Sequence, residues 1–242
     1  MIKILSIGNS FSQDAQRYLH GIFSAMGEEA KTVNLCIGGC RLATHYKNIN
    51  NDESAYSLEF NGVSTGFMVS VKEALQSDEW DYVTLQQQSS SSADYGTFQP
   101  YLNVLADYVD FHAPHSEIVL HQTWSYEPES QKLYDAGYTD HKVMFAKIRD
   151  SYNLAAKDIG SNIIIPCGQT MQNIVDSGVR AHRDGFHAGL GCGRFALGLT
   201  WYGMLTGKYF SDIKFDKFDT DITTDEYKTA VMSAEKSVNE YK

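Results

Sequence analysis

The stretch IKILSIGNSFS, residues 2–12, decides the fold of this chain. Ile2–Ile7 is mainly apolar and ends at Gly8, which predicts a short, buried β-strand. Behind the loop, Asp14–Met26 carries apolar residues at helical spacing, which predicts a helix. A strand that passes through a polar loop into a helix is the basic unit of α/β proteins, so we expect the chain to repeat it.

Similar units follow along the chain. Further strands are predicted at Lys31–Cys36, Tyr82–Leu85, Glu117–Gln122 and Asn162–Ile165. Helices are predicted near Ser70–Gln76, Phe98–Val109 and His141–Lys157. Short apolar runs that alternate with helices form parallel sheets with both faces covered. We therefore expect a single domain, residues 1–242, built as a three-layer α/β/α sandwich around a flavodoxin-like, doubly wound parallel sheet.

Two segments depart from this alternation. Asn61–Gly62 lies between two strand-like runs, and this residue pair is the strongest short-range signal for a hairpin. A small β-hairpin insertion is therefore predicted at about residues 54–68. The last segment, about residues 223–242, is charged and carries apolar residues on one side, which predicts a packed C-terminal helix.

The formal net charge of −10 restricts the partners of the protein. An acidic chain repels nucleic-acid phosphates and anionic lipid head groups, so we expect a small molecule rather than nucleic acid or a membrane. No apolar run reaches the roughly 18 residues of a membrane span, and no signal-peptide pattern precedes the first strand. The sequence as it stands predicts a cytoplasmic protein, or a secreted or periplasmic one if a leader was trimmed. It leaves the oligomeric state open.

Motifs that bind metals or cofactors do not occur in the sequence. The four cysteines show no C-x-x-C spacing, which argues against a zinc site and a disulfide framework. Neither G-x-G-x-x-G nor G-x-x-x-x-G-K-S/T is present, which argues against a nucleotide or flavin binder. The sequence therefore predicts no cofactor and no metal.

Polar residues of types that take part in catalysis follow three of the predicted strands. In an open parallel sheet this is where ligands bind, beyond the carboxyl ends of the strands. Ser10 stands at a strand-to-helix turn, as a nucleophile or as a helix N-cap. Gly39 follows the second strand, where its N–H approaches a ligand closely or belongs to a plain turn.

The third place is Asp184–His187, after the last strand. A serine nucleophile needs a base that accepts its proton, and the base needs a carboxylate that orients it. Asp184 and His187 lie three residues apart and supply both groups. The alternative interpretation is non-catalytic, because a carboxylate at the start of a helix followed by a surface histidine gives the same pattern.

Three segments resemble motifs of the SGNH (GDSL-like) hydrolase family. GNSFS at residues 8–12 looks like the first block, NLCIGG at 34–39 is similar to the second, and DGFH at 184–187 matches the fifth. The resemblance is closest to an uncharacterised branch with a GNSF first block and a DGFH last block, whose third block corresponds to EWDYVTLQ, residues 79–86. These segments span most of the chain.

The resemblance implies a role for each matching residue. Ser10 is the nucleophile, His187 the base and Asp184 the group that orients it. The oxyanion hole consists of the Ser10 N–H, the Gly39 N–H and a side-chain amide from the third block. That amide belongs to Gln88 or, as the alternative, to Gln86.

The same resemblance implies a substrate class. The expected function is a serine esterase that hydrolyses small esters, with O-acetylated carbohydrates as its substrates. Asn9, Arg41 and Trp124 are the expected pocket residues. The third block lacks the usual asparagine, which favours the alternative of a catalytically weak or inactive carbohydrate-binding module with the same fold.

Overall fold

Seven strands form one mixed sheet at the centre of the molecule. The computed structural model describes residues 1–242. The strands are β1 (Ile2–Gly8), β2 (Ala30–Cys36), β3 (Tyr56–Phe60), β4 (Val63–Val69), β5 (Tyr82–Leu85), β6 (Glu117–His121) and β7 (Ile164–Ile165). They lie in the order β4-β3-β2-β1-β5-β6-β7. The strands from β2 to β7 in this order run parallel, whereas β3 and β4 pair antiparallel at the edge.

Ten helices cover this sheet. They are α1 (Ser10–Gln16), α2 (Leu19–Ala25), α3 (Leu42–Asn51), α4 (Val71–Gln76), α5 (Tyr101–His112), α6 (Gln131–Asp135), α7 (His141–Ile159), α8 (Cys167–Asp176), α9 (Cys192–Thr206) and α10 (Thr224–Tyr241). In one group α9 packs against α1, α2, α8 and α10, and in the other α5 packs against α3, α4 and α7. The predicted α/β fold class is confirmed. None of the helices combines the length and apolar character that crossing a bilayer requires.

The central strand β1 explains why the opening stretch is decisive. Ile4, Leu5 and Ile7 are almost fully buried, although successive side chains of a strand point to opposite faces. A strand that is covered on both faces has a continuous apolar run rather than an alternating one. β1 also lies between β2 and β5. The strands β2 to β4 extend the sheet on one side of it, and β5 to β7 extend it on the other. This point, where the strand order reverses, is the crevice in which open α/β sheets bind ligands.

The helical part of the opening unit differs from the expectation. Two helices, α1 and α2, replace the single helix predicted at Asp14–Met26. The first begins earlier because the Asn9 side chain accepts a hydrogen bond from the Phe11 N–H and forms a capping box with Ser12. As a result, Ser10 is the first residue of α1 and stands directly beyond β1.

The hairpin forms the outer edge of the sheet. Asn61 and Gly62 join β3 to β4 with φ values of 51° and 79°, which are the left-handed conformations that a tight two-residue hairpin turn requires. The Asn61 N–H donates to the Thr32 carbonyl, and the Asn61 side chain accepts from the Thr32 N–H. These bonds attach the turn to β2.

Gly62 is expected to be far less tolerant of substitution than Gly66. Both have φ near 80°, but a Cβ on Gly62 would lie 2.4 Å from the Arg17 carbonyl oxygen, whereas nothing lies within 4 Å at Gly66. Gly62→Ala should lower the free energy of unfolding by about 2–4 kcal/mol, because backbone strain and overpacking add. Gly66→Ala, with strain alone, should lower it by about 1–2 kcal/mol. Urea unfolding of both variants measures the difference, and equal losses would contradict the close approach.

Candidate active site

Three loops bring the predicted site residues together at the carboxyl edge of the sheet. Ser10 follows β1, Gly39 follows β2, and Gln88 lies three residues beyond β5. The segment that contains Asp184 and His187 lies between α8 and α9. Residues from these loops line one pocket of about 290 Å³.

Ser10, His187 and Asp184 form a continuous chain of hydrogen bonds. The Ser10 Oγ lies 2.9 Å from His187 Nε2, although the two residues are 177 positions apart in the sequence. His187 Nδ1 lies 2.8 Å from Asp184 Oδ2. An ionised carboxylate only accepts, so Nδ1 carries the ring proton and Nε2 presents a lone pair to the serine hydroxyl. This is the tautomer that a general base needs.

The Asp184 carboxylate is held by its own loop. Its Oδ1 accepts the His187 N–H at 2.9 Å and the Phe186 N–H at 3.4 Å. Partial burial acts to raise the pKa of Asp184, but the hydrogen bonds from the ring and backbone of His187 outweigh it and lower the pKa below its usual value. The carboxylate is therefore ionised at neutral pH while 44% of its side chain remains exposed.

Asn9 borders the pocket and supports the site through the hydrogen bonds of its side chain. The side chain is 2% exposed, and its Oδ1 accepts from the Phe11 N–H at 2.9 Å. Its Nδ2 donates to the Cys40 carbonyl at 3.1 Å, next to the Gly39 turn. Asn9 is also one of the residues that line the pocket, as predicted. One side chain ties the turn that carries the Gly39 N–H to the start of α1.

Gln86 continues this support toward the next strand. Because Asn9 Oδ1 accepts from a backbone N–H, the Gln86 group that faces it at 2.7 Å is the amide Nε2. The Gln86 Oε1 then faces His121 Nδ1 at 2.7 Å. Burial lowers the pKa of His121 to about 3, so this ring is neutral and donates from Nδ1. Both ends of the Gln86 amide are occupied, and this alternative for the oxyanion donor is corrected.

Gln88 occupies a different position. It lines the pocket with Ser10 and His187, and no group of the protein accepts from its Nε2. Its Oε1 is within hydrogen-bond distance of the Ser90 hydroxyl, at 2.7 Å, and the Ser91 hydroxyl, at 3.4 Å. The serine tract thus fixes the carbonyl end of the amide and leaves the NH₂ end free.

Two backbone donors border the same pocket. The N–H groups of Ser10 and Gly39 bond to no backbone or side-chain acceptor of the protein. Gly39 has φ of 64°, a left-handed conformation that favours glycine. No atom lies within 4 Å of the position of a Cβ on either Gly38 or Gly39, so this side of the pocket is open.

Trp124 and Arg41 lie outside the pocket, contrary to the prediction. Trp124 is fully buried and stacks on Phe11 with ring centroids 3.9 Å apart. Its Nε1 donates to the Phe186 carbonyl at 2.7 Å, so it supports the pocket from behind. Arg41 is exposed at the start of α3 and does not line the pocket.

Phe186 and Ser89 are pocket residues that the sequence reading missed. The Phe186 ring is tilted by 36° against the His187 ring, with ring centroids 3.9 Å apart, and it borders the pocket beside it. The signal for Phe186 was available, because an apolar residue between Asp184 and His187 in a short loop has no helix or strand face to occupy.

Histidine, cysteine, aspartate and glutamate side chains form no group of three or more that suits a metal ion.

Solved structures resemble the chain in fold. A DUF4886 family protein from Bacteroides uniformis ATCC 8492 shares 32% identity over 98% of this chain and 95% of that chain, with a TM-score of 0.91. A candidate SGNH hydrolase from Slackia heliotrinireducens shares 22% identity over 84% and 98%, with a TM-score of 0.61. A candidate GDSL-like lipase from Parabacteroides merdae ATCC 43184 shares 15% identity over 86% and 96%, with a TM-score of 0.59. No curated protein matches the sequence.

The sheet and these neighbours define the class of protein. The chain is an α/β protein with the fold of the SGNH hydrolases. It belongs to the DUF4886 family, described as a domain of unknown function, whose model matches residues 3–236.

Proposed function

We propose that this protein is a serine esterase that hydrolyses small esters. The observation that carries the proposal is the continuous hydrogen-bonded chain from Asp184 through His187 to the Ser10 hydroxyl at the rim of a pocket. A hydroxyl, an oriented imidazole and a carboxylate in this order are the groups that acyl transfer requires. The fold shared with candidate SGNH hydrolases agrees with it.

The proposed reaction has two steps. The Ser10 Oγ attacks the ester carbonyl carbon while His187 Nε2 accepts the hydroxyl proton. The tetrahedral intermediate collapses, the bond to the alcohol oxygen breaks, and His187 returns the proton to the leaving alcohol. Water then attacks the acyl-serine, again through His187, and releases the acid and the free hydroxyl. Asp184 remains ionised throughout and stabilises the imidazolium.

Three donors are proposed to stabilise the oxyanion. The Ser10 N–H, the Gly39 N–H and the NH₂ group of the Gln88 amide border the pocket and donate to no acceptor of the protein, which supports this role. A donor of this kind lowers the transition-state energy by about 3 kcal/mol, because it is aimed in advance at the charge that develops. The glutamine thus takes the place of the asparagine that the third block usually has.

Within esters, we propose O-acetyl groups on carbohydrate-type alcohols as substrates. The pocket is small, at about 290 Å³, and His187 is the only titratable side chain among its lining residues. Such a pocket favours a small, uncharged acyl group. The Phe186 ring beside His187 offers an apolar face on which a sugar ring can stack.

Covalent labelling tests the proposal. A fluorophosphonate probe reacts only with an activated serine, so intact-mass analysis should show one adduct, which peptide mapping should locate on Ser10. Hydrolysis of p-nitrophenyl acetate should be faster than that of the butyrate and octanoate esters. No adduct together with background hydrolysis would contradict the esterase and favour the carbohydrate-binding module.

Gln88→Ala is expected to lower kcat by about 10²- to 10³-fold with little change in KM, because the amide acts on the transition state more than on the ground state. Gln88→Glu should lower kcat at least as much, since a carboxylate repels the oxyanion. Steady-state kinetics with p-nitrophenyl acetate measures both. Wild-type kcat in Gln88→Ala would remove the amide from the oxyanion hole and leave the two backbone donors.

A further inference from the structure

A buried carboxylate lies one helical turn behind the nucleophile. Asp14 follows Ser10 by four residues on α1, and its side chain is 0% exposed. An ionised carboxylate is costly to remove from water unless charged partners and hydrogen bonds compensate it. Asp14 has such partners on two other parts of the chain, so it fixes their position relative to the helix that carries Ser10.

The partners of Asp14 lie at the two ends of the His187 loop and in α9. Arg183 Nη1 lies 2.9 Å from each carboxylate oxygen. Arg194 donates from Nε and Nη2 to Oδ1 at 2.9 and 2.8 Å. The N–H of Ala188, the residue after His187, donates to Oδ2 at 3.2 Å. One carboxylate therefore holds both ends of the segment 183–188.

The loop between these two ends is closed on itself. The Arg183 N–H donates to the His187 carbonyl at 3.0 Å, and the Arg183 guanidinium donates to the Ala188 carbonyl. His182 pairs with Ala188 as an antiparallel bridge. Because the loop is compact, a clamp at its ends fixes the imidazole between them.

Arg183 lies near two carboxylates, that of Asp14 at 2.9 Å and that of Asp184 at 4.0 Å. The Arg183 Nε lies 4.0 Å from Asp184 Oδ2, the oxygen that accepts from the His187 ring. A guanidinium without a buried partner would turn to this nearby carboxylate and compete with the imidazole for it. The 2.9 Å contacts with Asp14 hold Arg183 in its present position.

We propose that Asp14 is a positioning residue that fixes His187 against Ser10. It holds the loop that carries the imidazole, and it keeps the Arg183 guanidinium from donating a hydrogen bond to Asp184. This inference rests on the proposed esterase function. Asp14 touches no substrate; it acts through the loop.

Asp14→Asn tests the proposal, with Asp219→Asn as its matched control. Asp219 pairs with Arg194 at 2.6 Å and with Arg17, so it belongs to the same ionic network, but it has no contact with the His187 loop. Both variants should lower the melting temperature. Asp14→Asn should also lower kcat by about 100-fold at unchanged KM, because the base is displaced. Asp219→Asn should keep wild-type kcat.

Arg183→Gln distinguishes the two effects proposed for Asp14, which are holding the His187 loop and keeping the Arg183 guanidinium away from Asp184. In the double variant Asp14→Asn/Arg183→Gln the competing guanidinium is gone, so kcat should recover by about tenfold over Asp14→Asn. The single variant Arg183→Gln leaves Asp14 paired with Arg194 and serves if Asp14→Asn does not fold. Its kcat should fall by about tenfold at unchanged KM, because half of the clamp is lost.

The outcomes are distinguishable. A wild-type protein without esterase activity would overturn the proposed function and this inference together. An active wild type in which Asp14→Asn keeps the kcat of Asp219→Asn, whatever its melting temperature, would overturn the inference alone. Wild-type kcat in Arg183→Gln, or no recovery in the double variant, would also overturn it.

Discussion

Replacing Ser10 with alanine is expected to lower kcat for p-nitrophenyl acetate by about 10⁴- to 10⁶-fold. The Ser10 hydroxyl is the group that His187 Nε2 contacts at 2.9 Å, and no other hydroxyl lies within hydrogen-bond distance of that nitrogen. Without it, no acyl-enzyme forms, and only the oxyanion donors still act on a direct attack by water. Fluorophosphonate labelling should disappear in the same variant.

Ser12→Ala is the matched control for Ser10→Ala. Ser12 lies two residues on in the same helix, and its buried hydroxyl bonds to the Asn9 carbonyl and to Asn34 rather than to His187. Its loss weakens the cap of α1 by about 1 kcal/mol. We therefore expect a lower melting temperature with most of the activity retained. Activity in Ser10→Ala above about 1% of wild type would rule out Ser10 as the nucleophile.

Asp184→Asn is expected to lower kcat by about 10⁴-fold. The asparagine has the same shape and still accepts the His187 N–H through Oδ1, so the loop should keep its conformation. The new NH₂ group faces the imidazole Nδ1, which must then accept, and the ring proton moves to Nε2. An Nε2–H cannot take the proton of Ser10. The measurement is kcat at neutral pH, with circular dichroism to show that the fold is retained.

Asp140→Asn is the matched control for Asp184→Asn. Asp140 is an exposed carboxylate whose Oδ1 lies 3.6 Å from the ring of the next residue, His141, so the variant also removes one acidic charge beside a histidine. Neither residue lines the pocket that contains Ser10. Its kcat should stay at the wild-type value. If Asp184→Asn stayed within tenfold of Asp140→Asn, the carboxylate would have no orienting role.

Local signals carried most of the fold prediction. The strand Tyr82–Leu85 has the predicted bounds, and the Asn61–Gly62 turn forms the predicted hairpin, because both are encoded within a few residues. The attachment of the hairpin to β2 depends on contacts with Thr32, which lies far from it in the sequence. Helix α8 was missed because Pro166, which ends β7, also begins that helix, although Cys167, Met171 and Ile174 follow one another at helical spacing.

The site was predictable where short motifs carry the chemistry and unpredictable where distant contacts decide. Gln86 and Gln88 are two positions apart, and in a strand their side chains would point to the same face. However, β5 ends at Leu85, so this alternation no longer applies to them. Trp124 was misassigned because its stacking on Phe11 joins the ends of two strands. The proposed role of Asp14 depends on arginines 169 and 180 positions away in the sequence.

The distance of 177 positions between Ser10 and His187 has a consequence for how the protein is made. Ser10 leaves the ribosome early, whereas its base emerges only when most of the polypeptide has been synthesised. Under the proposed mechanism, a chain that does not yet extend to His187 therefore holds a serine without its base. Under the proposed mechanism, hydrolysis begins only once the loop that carries His187 has docked beside Ser10, so turnover reports that this loop has reached its folded position.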